Sequence, residues 1–321
     1  MLPRHPPRQP VQPSAAQRRL RDHRVQQIDQ GFTVIVEIDR FAVTHGARQV
    51  VVSIHPLIVL QSHPVGYSGL QHSPDCGTIS VMKDETARRL NDINRAFYAQ
   101  IAGDFSETRQ QAWPGWKRLL SALPAQDPLR ILDAGCGNGR FGVFLAHGDP
   151  LRRWTYLGID SSFRLLSEAA CSLRASAGVK ASFVQQDLVF TPLPQASFDV
   201  VAAFGLLHHI PGMERRAAFV RALAERTAPN GLLCIAAWRF YDYARFRQRI
   251  VPWSAALEHD VETGDYLLDW RRGGYALRYC HAIDDDEFTA LIAASGLRLI
   301  DRYRADGFSG AVNEYALLTA S

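Results

Sequence analysis

The stretch that decides the fold is Leu129–Gly142, which reads LRILDAGCGNGRFG. Leu129–Leu132 is a short apolar run of the kind that forms a buried parallel strand, and Asp133 closes it. Gly135, Gly137 and Gly139 follow, and the apolar pattern of Phe141, Val143, Phe144 and Leu145 predicts a helix. A strand, a glycine turn and a helix N-terminus make a cradle for a nucleotide, because backbone without Cβ atoms turns tightly and lets a ligand approach closely. A glycine turn alone also serves dinucleotides, flavins or plain close packing.

The segments that follow narrow the choice. A second strand, Thr155–Ile159, ends in Asp160, a carboxylate about 20 residues beyond the turn and placed to accept from a ribose hydroxyl. A third run, Ala181–Gln185, ends near Asp187, whose carboxylate or flanking backbone suits an adenine edge. A fourth, Phe198–Phe204, opens FDVVAAFGLLHH. Polar residues at regularly spaced strand ends are expected along the carboxyl edge of an open α/β sheet.

In this order, LDAGCGNGRFG, LGIDSS, QQDL, FDVVAAFGLLHHIPG and APNGLLCIAAWRF resemble the successive motifs of class I S-adenosylmethionine (SAM) dependent methyltransferases, from about Arg130 to Phe240. The turn is G-C-G-N-G, not GxGxxG, which disfavours a dinucleotide. A doubly wound domain with a degenerate pocket is the bland alternative, but Asp133, Asp160 and Asp187 are all present. The resemblance implies a Rossmann-like α/β fold with a mostly parallel sheet, an antiparallel final strand and helices on both faces. It further implies that Tyr98 covers the cofactor. Asp133 and the backbone of Gly135, Cys136, Gly137, Asn138 and Gly139 hold its methionine end. Asp160 and Ser161 take the ribose, and Asp187 with Leu188 the adenine. Phe204 and Gly205 lie under the reacting centre.

The chain has 321 residues, 47% of them hydrophobic, with no apolar run near the length of a membrane span, so no membrane partner is expected. Cys76, Cys136, Cys171, Cys234 and Cys280 form no CxxC pair and read as reduced thiols of a cytoplasmic protein. The net charge of +4 permits a nucleic-acid partner without demanding one. Lys83, Lys117 and Lys180 are the sole lysines, a skew that reflects codon bias more simply than phosphate binding.

Residues 1–81 differ in character. Met1–Gln30 is rich in Pro, Arg and Gln and reads as disordered; Thr33–Ile38 and Val50–Leu60 suit short strands. An accessory domain, a disordered tail and a start codon set too early are the competing readings, and the methyltransferase domain is expected over residues 82–321.

Asp84–Tyr98 is predicted as a helix opening a lid over residues 84–121. Within it, FSETRQQAWPGW resembles the tRNA wobble-uridine carboxymethyl methyltransferases, as do GDYLLDW and RYCH further on. Trp113 and Trp116 suit either a lid or a helix anchor, whereas Arg109 in an apolar lid needs an anionic partner. Helices are expected over Ser162–Ala177, Met213–Thr227 and Asp284–Ala294, a fifth strand over Leu232–Ala237 after the Pro229–Gly231 turn, and a closing hairpin over Leu297–Tyr303 and Asn313–Leu318. Residues 238–280 form a substrate-side insertion. There Arg239, Arg245, Arg271, Arg272 and Arg278, interleaved with aromatics, suit an anionic, ring-bearing acceptor or a solvated cap. That family's aspartate-asparagine-tryptophan segment is replaced by ADGFSGAVNEY, which leaves the substrate open.

His208 and His209 follow the fourth strand; one is expected to act as a base toward a hydroxyl or to orient a carboxylate beside Arg109, the other to be structural. With no HExxH and no Cys/His cluster, no metal is expected. Three functions follow: esterification of a carboxymethyl group on tRNA, methylation of a small-molecule acceptor such as a quinone precursor, or SAM binding without catalysis. For the first, some relatives use a small zinc-binding activator subunit.

Overall fold

The computed structural model describes residues 35–37 and 82–320, apart from 110, 175, 177 and 256. A three-residue strand, Ile35–Glu37 (β1), precedes a 24-residue helix, Asp84–Glu107 (α1). The alternating core comprises Leu129–Ala134 (β2), Arg140–Gly148 (α2), Trp154–Asp160 (β3), Phe163–Arg174 (α3), Val179–Gln185 (β4), Phe198–Phe204 (β5), Met213–Glu225 (α4) and Thr227–Trp238 (β6). Ile250–Val251 (β7), Asp265–Trp270 (β8) and Ala276–His281 (β9) form a separate antiparallel sheet. Asp285–Ala294 (α5), Arg298–Ala305 (β10) and Asn313–Thr319 (β11) close the chain.

The main sheet has the order β1-β4-β3-β2-β5-β6-β11-β10. Strands β2 to β6 are parallel, and β11 runs antiparallel between β6 and β10. The chain winds outward from β2 to β4 and then returns to the other side of β2, so the reversal of strand order falls between β2 and β5. Ligands of open α/β sheets bind at the carboxyl ends of such a pair.

Strand β5 is apolar on both faces because both are covered. Val200, Ala202 and Phe204 pack with Phe141 and Leu145 of α2 and Leu166 and Leu173 of α3. Val201 and Ala203 pack with Phe219 and Leu223 of α4 and Phe288 and Leu291 of α5. The two-residue period of a strand assigns alternate side chains to the two layers.

Several boundaries differ from expectation. Helix α1 runs nine residues past Tyr98, because Ile101 and Ala102 continue the buried face begun by Leu90 and Phe97. The Pro229–Gly231 signal sits inside β6 as a local irregularity, with Asn230 at φ 57° and a register shift against β5. Within the first 81 residues, Ile35–Glu37 pairs antiparallel with β4; Val50–Leu60 and the rest lie outside the described residues.

The insertion is a small sheet fastened to the core by a buried charge network. The Arg216 guanidinium of α4 donates to Glu262 at 2.9 Å and to Glu287 of α5 at 2.5 Å. His281 of β9 lies 2.7 Å from both Asp265 and Glu287. Burial disfavours its charge, but these two carboxylates prevail and raise its pKa. Arg239, expected to face an anionic acceptor, instead lies buried among Asp242, Asp285 and Glu314 and donates to the Ile283 carbonyl. Its role is to join β6 to α5 and β11.

Candidate active site

A cavity of about 1110 Å³ opens at the carboxyl ends of β2 and β5, walled by the glycine turn, α1, the segment after it and the insertion. The turn is built on positive φ angles at Gly135 (77°), Gly137 (55°) and Gly139 (75°). Open space surrounds the Cβ position of Gly137, so a side chain there would intrude on whatever the turn cradles. Gly139 is different: it is absent from the cavity wall, and a Cβ on it would come within 2.8 Å of the Ala169 Cβ. It caps α2 and lets that helix pack against α3, a structural role that stands beside the cofactor contact expected of its backbone.

The three carboxylates expected at strand ends all line the cavity. Asp133 is buried, accepts from the Tyr156 hydroxyl at 2.5 Å and is driven by burial up to about 7. Asp160 accepts from the Gly137 N–H at 2.9 Å and the Ser162 N–H at 2.8 Å, so the residue placed for a ribose also shapes the glycine turn. Asp187 accepts from Asn91 of α1 at 2.6 Å and from the Val189 N–H at 3.0 Å. Cys136, Asn138, Ser161, Leu188, Phe204 and Gly205 also line the wall. The Asn138 amide donates to Ser106 and to the Arg109 carbonyl, which ties the turn to the end of α1.

Tyr98 lies 3.0 Å from His209 Nε2, and His209 Nδ1 lies 2.9 Å from the Tyr279 carbonyl. The Asn94 amide nitrogen lies 3.2 Å from the same Nδ1, so both ring nitrogens of His209 are engaged by buried neighbours. Burial, reinforced by Arg278, lowers His209 to about 3. His208 stands beside it with its Nδ1 buried and unpartnered, its ring 5.3 Å from that of Trp238. Burial and the neighbouring positive groups hold it well below the usual histidine range. Both line the cavity, but the pair is divided: His209 is engaged by Tyr98 and the Tyr279 carbonyl, whereas His208 Nδ1 is left unpartnered.

Positive charge gathers in the same cavity. Burial pushes Arg109 down to about 9, with Arg278 and Arg140 adding repulsion. Its Nη1 donates to the Thr108 hydroxyl at 2.8 Å. Arg140 lies 4.6 Å from the Trp113 ring, and Arg278 lies 4.6 Å from the Trp238 ring. Arg245 and Arg272 line the same cavity, whereas Arg271 pairs with Asp269.

Two groups of metal-type donors gather among the described residues: His208, His209 and Cys280, and Glu262, Asp265 and His281. In the first, His209 is engaged at both nitrogens, and burial raises Cys280 to about 12. The second is filled by the Arg216 guanidinium.

Residues 131–231 match the family described as Methyltransferase domain. The chain is a SAM-dependent methyltransferase with the class I fold. A protein of Encephalitozoon cuniculi named as a methyltransferase is 26% identical over 205 residues, 64% of this chain and 87% of that one. The tRNA (carboxymethyluridine(34)-5-O)-methyltransferase ALKBH8 of Macaca fascicularis is 31% identical over 48% of this chain. The match covers 21% of ALKBH8, and the chain spans less than half the length of the curated tRNA methyltransferases it matches. A SAM-dependent methyltransferase of Methanosarcina mazei has the same fold, with a TM-score of 0.50 at 17% identity over 65% of this chain and 99% of that one.

The methyltransferase site fits SAM by its own features: an open glycine cradle, buried Asp133 beside it and Asp160 at the end of the next strand. Sequence reasoning missed Asn91, Asn94 and Asp306. Asn91 and Asn94 share a face of α1 with Tyr98, and two buried asparagines at that spacing were a readable signal. Asp306 accepts from the Gly115 N–H, the Asn313 amide and the Tyr315 hydroxyl, so the segment that departs from the wobble-methyltransferase pattern holds the Trp113–Trp116 turn.

Proposed function

We propose that this methyltransferase esterifies a carboxylate, that of a carboxymethyl group on a tRNA wobble uridine. The observation that carries the reading is the cluster of Arg109, Arg140 and Arg278 on one cavity wall, where three buried or half-buried guanidiniums oppose one another. Such a cluster is stabilised by an anion, and a carboxylate fits a guanidinium fork. The likeness to ALKBH8 supports the wobble uridine as its carrier.

When bound, SAM supplies a methyl group on a sulfonium; a carboxylate oxygen takes it, the C–S pair stays on sulfur, and the two charges cancel without a proton moving. The acceptor is ionised at pH 7, so the site has no need of a general base. That agrees with two histidines held neutral. The carboxylate loses charge as it reacts, so the arginines contribute by orienting it in line rather than by stabilising a growing charge. The described cysteines are all free, which supports a cytoplasmic setting. Among the described residues no helix is long and apolar enough to cross a membrane.

Nucleoside mass spectrometry on tRNA from a strain lacking the gene tests the proposal. Carboxymethyluridine should accumulate and its methyl ester disappear, and purified protein with SAM should restore the ester. Unchanged nucleosides in that strain would overturn the assignment.

A further inference from the structure

The chain neutralises its buried arginines with care. Arg216 has Glu262 and Glu287, and Arg239 has Asp242, Asp285 and Glu314. Arg278 breaks the pattern. It is 8% exposed, projects from β9 onto the cavity wall, and makes no ion pair among the described residues. Its contacts are with ring faces, Trp238 at 4.6 Å and Phe97 at 5.6 Å, and its Nε is buried without a hydrogen-bond partner. A guanidinium removed from water and left uncompensated is costly unless a ligand supplies the anion.

A second orphan lies on the same wall. His208 Nδ1 is buried without a partner, and the His208 ring packs on the same Trp238 indole that backs Arg278. Trp238, at the end of β6, thus contacts both a planar cation and a neutral imidazole, and all three line one cavity.

We infer that Arg278 and His208 form the subsite that grips the acceptor's carboxylate and selects it over a neutral amide or ester of the same shape. The inference rests on the carboxylate reading proposed above and adds the residues that impose it. Arg278 supplies the charge and His208 a hydrogen bond without further charge. Methyl transfer removes the anion, so the ester product loses its hold on Arg278 and leaves.

The test compares two anticodon stem-loop RNAs, one carrying 5-carboxymethyluridine and one 5-carbamoylmethyluridine, for binding to the full-length protein loaded with S-adenosylhomocysteine. The unsubstituted protein should bind the carboxylate RNA roughly 10-fold or more tightly than the amide, the scale of one charged hydrogen bond. Arg278→Gln should erase that preference while binding S-adenosylhomocysteine as before. If the glutamine variant no longer binds S-adenosylhomocysteine, Arg278→Met, which keeps the stem against Trp238, decides the same comparison. A preference that survives removal of the guanidinium leaves the carboxylate reading intact and overturns the role of Arg278. Equal binding of both RNAs by the unsubstituted protein overturns the carboxylate reading and this subsite with it.

Discussion

The Tyr98 hydroxyl lies 3.0 Å from His209 Nε2, and through that imidazole it is tied to the Tyr279 carbonyl of the insertion. One histidine, held neutral by burial, thus joins α1, the segment after β5 and the small antiparallel sheet. The adjacent His208 has no such bond. We expect His209→Ala to lower stability by about 1–3 kcal/mol, the cost of leaving buried partners unsatisfied. His208→Gln should melt near the unsubstituted protein yet lose about 10-fold in kcat/KM. Thermal melts and methyl-transfer rates on both variants check this; the opposite pattern would exchange the two roles.

Asp160 holds the glycine turn and is expected to take the ribose of the cofactor as well. Asp160→Ala should weaken S-adenosylhomocysteine binding by about 10- to 150-fold, equivalent to about 1.5–3 kcal/mol for a charged hydrogen bond. Asp160→Asn, which keeps an oxygen for the Gly137 N–H, should lose less. Calorimetry showing unchanged affinity in both proteins would remove Asp160 from the cofactor site.

Asp133, expected at the methionine end of the cofactor, should make cofactor binding pH-dependent. Burial raises its carboxyl to about 7, and the ammonium of a bound methionine moiety favours the ionised form. The bound state then holds fewer protons than the free state, so affinity falls as pH drops below 7, by at most about tenfold per unit. Binding near pH 6.5 should release a proton, measurable as a dependence of calorimetric heat on buffer ionisation enthalpy. Affinity that is flat from pH 5.5 to 8.5 would place the ammonium away from Asp133.

Arg109 is expected to touch the acceptor anion or the cofactor carboxylate. Arg109→Ala should stay folded and lose at least about 10-fold in kcat/KM, and Arg109→Lys should recover little, because an ammonium lacks the planar fork. A large fall in melting temperature for alanine, with both stability and rate restored by lysine, would make Arg109 a structural cation instead.

Much of this protein was legible in one dimension because its information is local. The strands β2, β3 and β4 each lead to a carboxylate at or just past their ends, and the glycine turn announces its positive φ angles by residue type. Asp133, Asp160 and Asp187 all line one cavity. Gly139 shows the limit of that reading: its place in the motif is local, but whether it faces ligand or Ala169 depends on how α3 packs. The same holds for the two histidines, adjacent in sequence and alike in burial, which differ because the Tyr98 hydroxyl and Tyr279 carbonyl arrive at one of them from 111 and 70 residues away. It holds for the arginines of the insertion too. Arg239 meets acids from α5 and β11, whereas Arg278 pairs with no acid among the described residues and meets aromatic faces. A charge's role is set by what long-range folding places beside it, and those partners leave no mark in the residues on either side.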